Sequence, residues 1–175
     1  MIPVTQTKVR KKIEYHGNWI QQYGNCLASC IASIMELPLS EVPNLETLFD
    51  LEDDFYLDVL QRWLQQKGWE YSTGDEYKIF HPEFMSIKDF GSDQNTFEER
   101  DEMRKMWCEA MVHEQGLTNH YYLVSGVSPR SKEDRVTRHI TIWQNGKMVH
   151  DPHESKEGVI WNIKDLTFTQ LRRVG

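Results

Sequence analysis

The chain has no long apolar run. Nothing in its 175 residues approaches the roughly 20 consecutive apolar positions of a membrane-spanning helix, so no membrane partner is expected. The opening Met1-Ile2-Pro3-Val4-Thr5-Gln6 lacks the apolar stretch of a secretory leader. Cysteine is scarce and odd in number: three residues, with no Cys-x-x-Cys pair. That speaks against a disulfide framework and fits reduced thiols in a cytosol. An excess of positive charge is missing too. The net charge is −7, and only Lys8-Val9-Arg10-Lys11-Lys12 is locally basic, which argues against nucleic acid as the partner. Repeats and low-complexity segments are absent, and no cofactor is expected. One domain spanning 1–175 is the expected organisation, long enough for a real core in which six tryptophans and seven tyrosines carry much of the burial.

What is present is organised around Gly24-Asn25-Cys26. Leu27, Cys30, Ile31 and Ile34 follow at helical spacing, with small residues (Ala28, Ser29, Ala32, Ser33) between them. This pattern predicts a helix from Cys26 to Met35, packed on more than one side and capped by Asn25. Cys26 then stands at the positive end of a helix dipole, where thiolates are favoured. Most free cysteines are inert packing residues, so a base and an orienting group must be found elsewhere.

Residues 7–15 alternate weakly and read as an edge strand or arm, and Trp19 to Asn25 as the approach to the helix. Past Pro38, Ser40 caps a short turn. A second helix spans Asp54 to Gln66, with Phe55, Val59, Leu60, Trp63 and Leu64 on one face and Gly68 as its stop. Trp69-Glu70-Tyr71 reads as a strand. Residues 72–97 are irregular. Helical spacing returns from Phe97 to Glu114, so 72–115 fits a helical insertion or lid. Cys108 falls there and reads as packing. Strands follow at Tyr121–Val127, Arg138–Trp143 and Met148–Asp151. The last two are joined by a hairpin turn at the favoured Asn145-Gly146 pair. Val159 to Val174 carries one or two more. Helices first and an antiparallel sheet afterwards make an α+β domain, with N-terminal helices packed on a C-terminal sheet.

The chemistry-bearing residues converge on the second hairpin. His139 opens one strand and Asp151 closes its partner, about one register step apart. In ideal register the two point to opposite faces, so a bulge or the Pro152 turn must bring them together. The roles are then complete. Cys26 is the nucleophile, His139 the general base and acid, and Asp151 the group that orients the imidazole. Gln21 or Gln22, with the Cys26 N–H, would stabilise an oxyanion. Asn25 and His153 would line the cleft.

Glutamine upstream, Cys26 at a helix start, a strand His139 and Asp151-Pro152 after a hairpin resemble the papain-like cysteine peptidase superfamily. Within it the chain is most similar to bacteriocin-leader peptidases and their acyltransferase relatives. Gly24-Asn25-Cys26-Leu27-Ala28-Ser29-Cys30-Ile31-Ala32-Ser33-Ile34, Leu37-Pro38-Leu39, Val42-Pro43, Asn145-Gly146-Lys147 and His150-Asp151-Pro152-His153 also resemble small uncharacterised proteins of phages and bacteria. The resemblance implies a papain-like fold and a cysteine-dependent hydrolase or acyltransferase. It also implies an acyl-enzyme at Cys26, no cofactor, and a peptide, protein or small amide substrate in a bacterial or phage-infected host cytosol. The chain departs from the family in two places: its glutamines stand five and four residues before the cysteine instead of about six, and Leu27 replaces a common glycine.

Two rivals stand beside this reading. Cys26 and Cys30 share a helix face, and with His139, His150 or His153 they could hold zinc. Alternatively, the same fold could serve as a non-catalytic binding module. His16, His81, His113 and His120 find no partner in the sequence. The substrate and the oligomeric state are not legible.

Overall fold

The computed structural model describes residues 1–9, 11–15, 18–48, 55–73, 119–132, 136–160 and 166–174. The expected insertion at 72–115 and the expected helix from Phe97 to Glu114 lie outside these residues, apart from Ser72 and Thr73. So do Cys108, His16, His81 and His113. Among the described residues the fold is α+β, with two helices and a five-stranded antiparallel sheet of order β3-β7-β4-β5-β6. Those strands are β3 (Trp69–Thr73), β4 (Tyr122–Val127), β5 (Arg138–Gln144), β6 (Lys147–His150) and β7 (Thr167–Arg173). The chain divides into two compact units. The first is Met1–Tyr71, His150–Glu157 and Leu171–Gly175, and the second is Ser72–Val149 and Gly158–Gln170.

The first unit is built on helix α1 (Cys26–Met35), which has the predicted bounds. Leu27 through Ile34 are all buried, eight residues in succession, as the small side chains between the large ones allow. Two buried hydroxyls are satisfied within the helix: Ser29 Oγ donates to Asn25 O at 3.0 Å and Ser33 Oγ to Ser29 O at 2.7 Å. Glu36 ends the helix in a left-handed conformation (φ 58°), its N–H and that of Leu37 both directed to Ala32 O.

The extended N-terminal segment runs back along α1 as a strap. The Met1 amine lies 2.7 Å from Glu36 Oε1, Ile2 N donates to Ser33 O, and Val4 N donates to Ser33 Oγ. Of residues 7–15, expected as an edge strand or arm, Lys11–Tyr15 forms strand β1, and Thr7 and Lys8 belong to the strap. The stretch expected to be a mere approach forms β2 (Asn18–Gln22), paired antiparallel with β1 in a separate two-stranded sheet. A hairpin therefore precedes the first helix, and the order is not simply helices then sheet.

Ser40 lies inside a 3-10 turn (Leu39–Glu41) whose N-cap position is taken by Pro38, with no side-chain cap, so Ser40 is not a cap. A second 3-10 turn covers Leu45–Thr47. Helix α2 (Phe55–Gln66) follows the predicted span, but only Leu60 and Leu64 of its apolar face are fully buried, and Phe55 is exposed. Burying each leucine contributes about 1.5–3 kcal/mol. Gly68, at φ 73°, terminates the helix as expected. Beyond it, Glu70 pairs with Arg172 at 2.7 Å and the Arg173 guanidinium stacks over Trp69, joining the first residues of β3 to the last of β7.

The second unit is centred on β4 and β5, whose register runs from Tyr122↔Trp143 to Val127↔Arg138. Tyr122, Leu123, Val124, Ile142 and Trp143 form its core. The hairpin turn after β5 has Asn145 at φ 49° and Gly146 at φ 75°, both left-handed as a type I′ turn requires. Asn119 clamps it: Gln144 Nε2 donates to Asn119 O, and the Asn119 N–H donates to Asn145 Oδ1.

Candidate functional site

Cys26 is the first residue of α1 and is half-buried. Asn25 occupies the expected N-cap position, yet its side chain does not cap the helix. Its Oδ1 accepts instead from Thr7 N (3.1 Å) and Lys8 N (2.9 Å), and its Nδ2 donates to Thr7 Oγ1 (3.0 Å). Asn25 N donates to Lys8 O. The carboxamide is buried and satisfied by the strap, and the first turn beside Cys26 has no side-chain cap.

Asp151 belongs to the same unit as Cys26 and is 2% exposed. Its Oδ1 accepts from His153 N at 2.7 Å, which closes a tight turn through Pro152, and Lys156 Nζ donates to its backbone carbonyl. The strap holds this turn from both sides. His150 Nε2 bonds Val4 O at 3.0 Å, and since a carbonyl only accepts, that nitrogen carries the proton. Gln6 N donates to Pro152 O at 2.9 Å.

Cys30, one turn after Cys26, is wholly buried. Burial pushes its thiol well above the ordinary value, and charge on Cys26 and on Asp151 pushes it further. Cys30 is thus a neutral packing thiol.

His139 belongs to the second unit. It is 3% exposed and lies in β5, directly opposite Gly126 of β4. Opposed residues share a sheet face. On that face, a Cβ on residue 126 would meet Leu166 Cδ2 at 2.7 Å and Val159 Cβ at 3.2 Å. Glycine thus lets two aliphatic side chains close over the strand facing His139. Thr141 and Trp143 continue the row, with Trp143 Nε1 donating to Thr141 Oγ1 at 2.9 Å. The start of β5 is fixed by Ser128 and Ser131, both bonded to Thr137.

Gln21 and Gln22 end β2, paired with Lys12 and Lys11. His153 is engaged in its own turn, where Nδ1 accepts from Ser155 N at 3.0 Å and lies 2.9 Å from Ser155 Oγ. Among the described residues no group of three or more His, Cys, Asp or Glu side chains is arranged to hold a metal. No helix among them is long and apolar enough to cross a membrane. The strap's hold on Asn25 is the feature sequence reading missed. Its partners are 17 and 18 residues away, and an asparagine before a helix reads locally as a cap.

Comparison of the chain with protein-family models, with curated proteins and with solved structures gives no match.

Proposed function

We propose that the chain is a papain-like, cysteine-dependent hydrolase or acyltransferase acting on an amide or peptide-type bond. Cys26 attacks the carbonyl as thiolate, and the resulting acyl-enzyme passes to water or an amine. His139 takes the thiol proton and returns it to the leaving group, while Asp151 orients the imidazole. The Cys26 N–H at the uncapped head of α1, with Gln21 or Gln22, stabilises the oxyanion. One observation carries the reading: a half-buried thiol at a helix start and a buried carboxylate lie in one compact unit, and the residues flanking each are hydrogen-bonded to the same segment, residues 4–8. A nucleophile and an acid held by one segment are what a thiol triad needs, and the resemblance supplies His139 as the third member. The same resemblance suggests a cytosolic setting.

The test is the rate of Cys26 alkylation by iodoacetamide from about pH 5 to about pH 9, with the modified peptide identified by mass spectrometry. An isolated thiol gives one titration near its ordinary value of about 8.5. A thiolate–imidazolium pair adds a reactive limb well below it. The limb is expected in the wild type and lost in His139→Ala. Acyl transfer from an activated ester should vanish in Cys26→Ala. Cys30 should stay unmodified until the protein is unfolded. A wild-type profile of the isolated-thiol kind, or one unchanged by His139→Ala, refutes the assignment.

A further inference from the structure

We propose that Asn25 is the positioning residue of this site, and that it works by clasping the strap, which in turn holds the Asp151 turn at the head of α1. The inference rests on the assignment of Cys26 and Asp151 above and deepens it.

The argument follows the hydrogen bonds. Asn25 immediately precedes Cys26, and all its side-chain bonding goes to Thr7 and Lys8. Just upstream on the strap, Gln6 N holds Pro152 O, and Val4 O receives His150 Nε2. The residue before Cys26 and the residues on both sides of Asp151 are therefore tied to one segment of five residues, Val4 to Lys8. Gln6 Nε2 also bonds Lys8 O, which stiffens the strap between its two ties. An asparagine that served only to stabilise the helix would turn its oxygen to the first-turn N–H groups. This one turns the opposite way. The result is a fixed path from thiol to carboxylate and a helix head that the Asn25 side chain does not cap.

The same iodoacetamide pH profile tests this, using Asn25→Ala and a second variant, Gln6→Pro. The second deletes the N–H bonded to Pro152 on a partly exposed strap and leaves Asn25 intact. Melting followed by circular dichroism establishes that each variant is folded at the assay temperature. Misplacing the acid should lower alkylation near pH 6 by about tenfold or more and leave the rate near pH 9 within about twofold of wild type. Asn25→Asp keeps both acceptor bonds from Thr7 and Lys8, so it should retain the low-pH limb that Asn25→Ala loses. A folded Asn25→Ala or Gln6→Pro protein with the wild-type profile overturns the inference while the triad assignment stands. If Asn25→Ala does not fold, Gln6→Pro decides. A wild type without the limb, or one whose limb survives His139→Ala, removes the triad assignment and this inference together.

Discussion

Removing the Lys8 ammonium should destabilise the protein more than removing the Glu46 carboxylate, and removing both should restore most of the loss. Lys8 Nζ donates to Glu46 Oε1. The two side chains are unequally placed: Glu46 is 5% exposed and Lys8 39%. Glu46 Oε2 is buried with no hydrogen-bond partner, so the lysine is the one compensation for a desolvated carboxylate among the described residues. Breaking a buried pair by deleting one partner costs about 3–5 kcal/mol. Because Lys8 is more than a third exposed, solvent already screens part of its field, which brings Lys8→Met to about 2–3 kcal/mol. Glu46→Leu strands only an ammonium that water can reach, and it should cost about 1 kcal/mol or less. The double variant has no buried charge and should lie within about 1 kcal/mol of wild type. Urea unfolding followed by tryptophan fluorescence measures all four proteins. Lys8→Met should also lower the melting temperature by about 5–10 °C in a chain of this length. If the two single costs are equal and sum to the double, the charges are uncoupled and the reasoning fails.

Two glycines should fail differently when replaced by alanine. At Gly68 a Cβ meets nothing within 4 Å but φ is 73°, so the cost is backbone strain alone, about 1 kcal/mol. At Gly126 the clash with Leu166 and Val159 should cost about 1–3 kcal/mol, and truncating Leu166 should relieve Gly126→Ala but not Gly68→Ala; urea midpoints read both. For pH, the hydrogen bond from the Met1 amine and then its charge hold the Glu36 carboxyl below its ordinary value. A lowered folded value means a contribution present above the unfolded value and lost as pH falls through the folded one. Glu36→Gln should therefore flatten the acid side of the stability profile, and an unchanged profile would count against the pair.

Strong local patterns were the legible part of the fold. The α1 bounds, the Gly68 stop and the Asn145-Gly146 turn each follow from a residue type whose backbone preference acts within a few positions. The misreadings share a cause. Asn18–Gln22, read only as an approach to the helix, is a strand because it pairs with Lys11–Tyr15, which lies in the stretch expected as an edge strand or arm. Ser40 follows a proline and reads as a cap, but Pro38 already takes the N-cap position of the 3-10 turn. Phe55 fits the α2 stripe by spacing yet stands at the helix start, where it is exposed. For the proposed site, residue types alone name Cys26, His139 and Asp151 as candidates. The Asn25 clasp was hidden because a carboxamide serves a distant backbone as well as an adjacent one.

The burial of α1 explains why the strap exists. Eight consecutive buried residues leave the helix no solvated face, so every side of it needs a partner. A second helix would bring large side chains against Ala28, Ser29, Ala32 and Ser33, whose small size suits a closer neighbour. An extended chain approaches more nearly, and its N–H groups can be satisfied by serine: Ser33 Oγ donates within the helix and accepts from Val4 N at 2.9 Å in the same arrangement. Ser33 is thus where the strap is bound to the body of α1, and Asn25 is where it is bound at the head. A serine that first looks like ordinary core packing therefore helps to determine what stands next to Cys26.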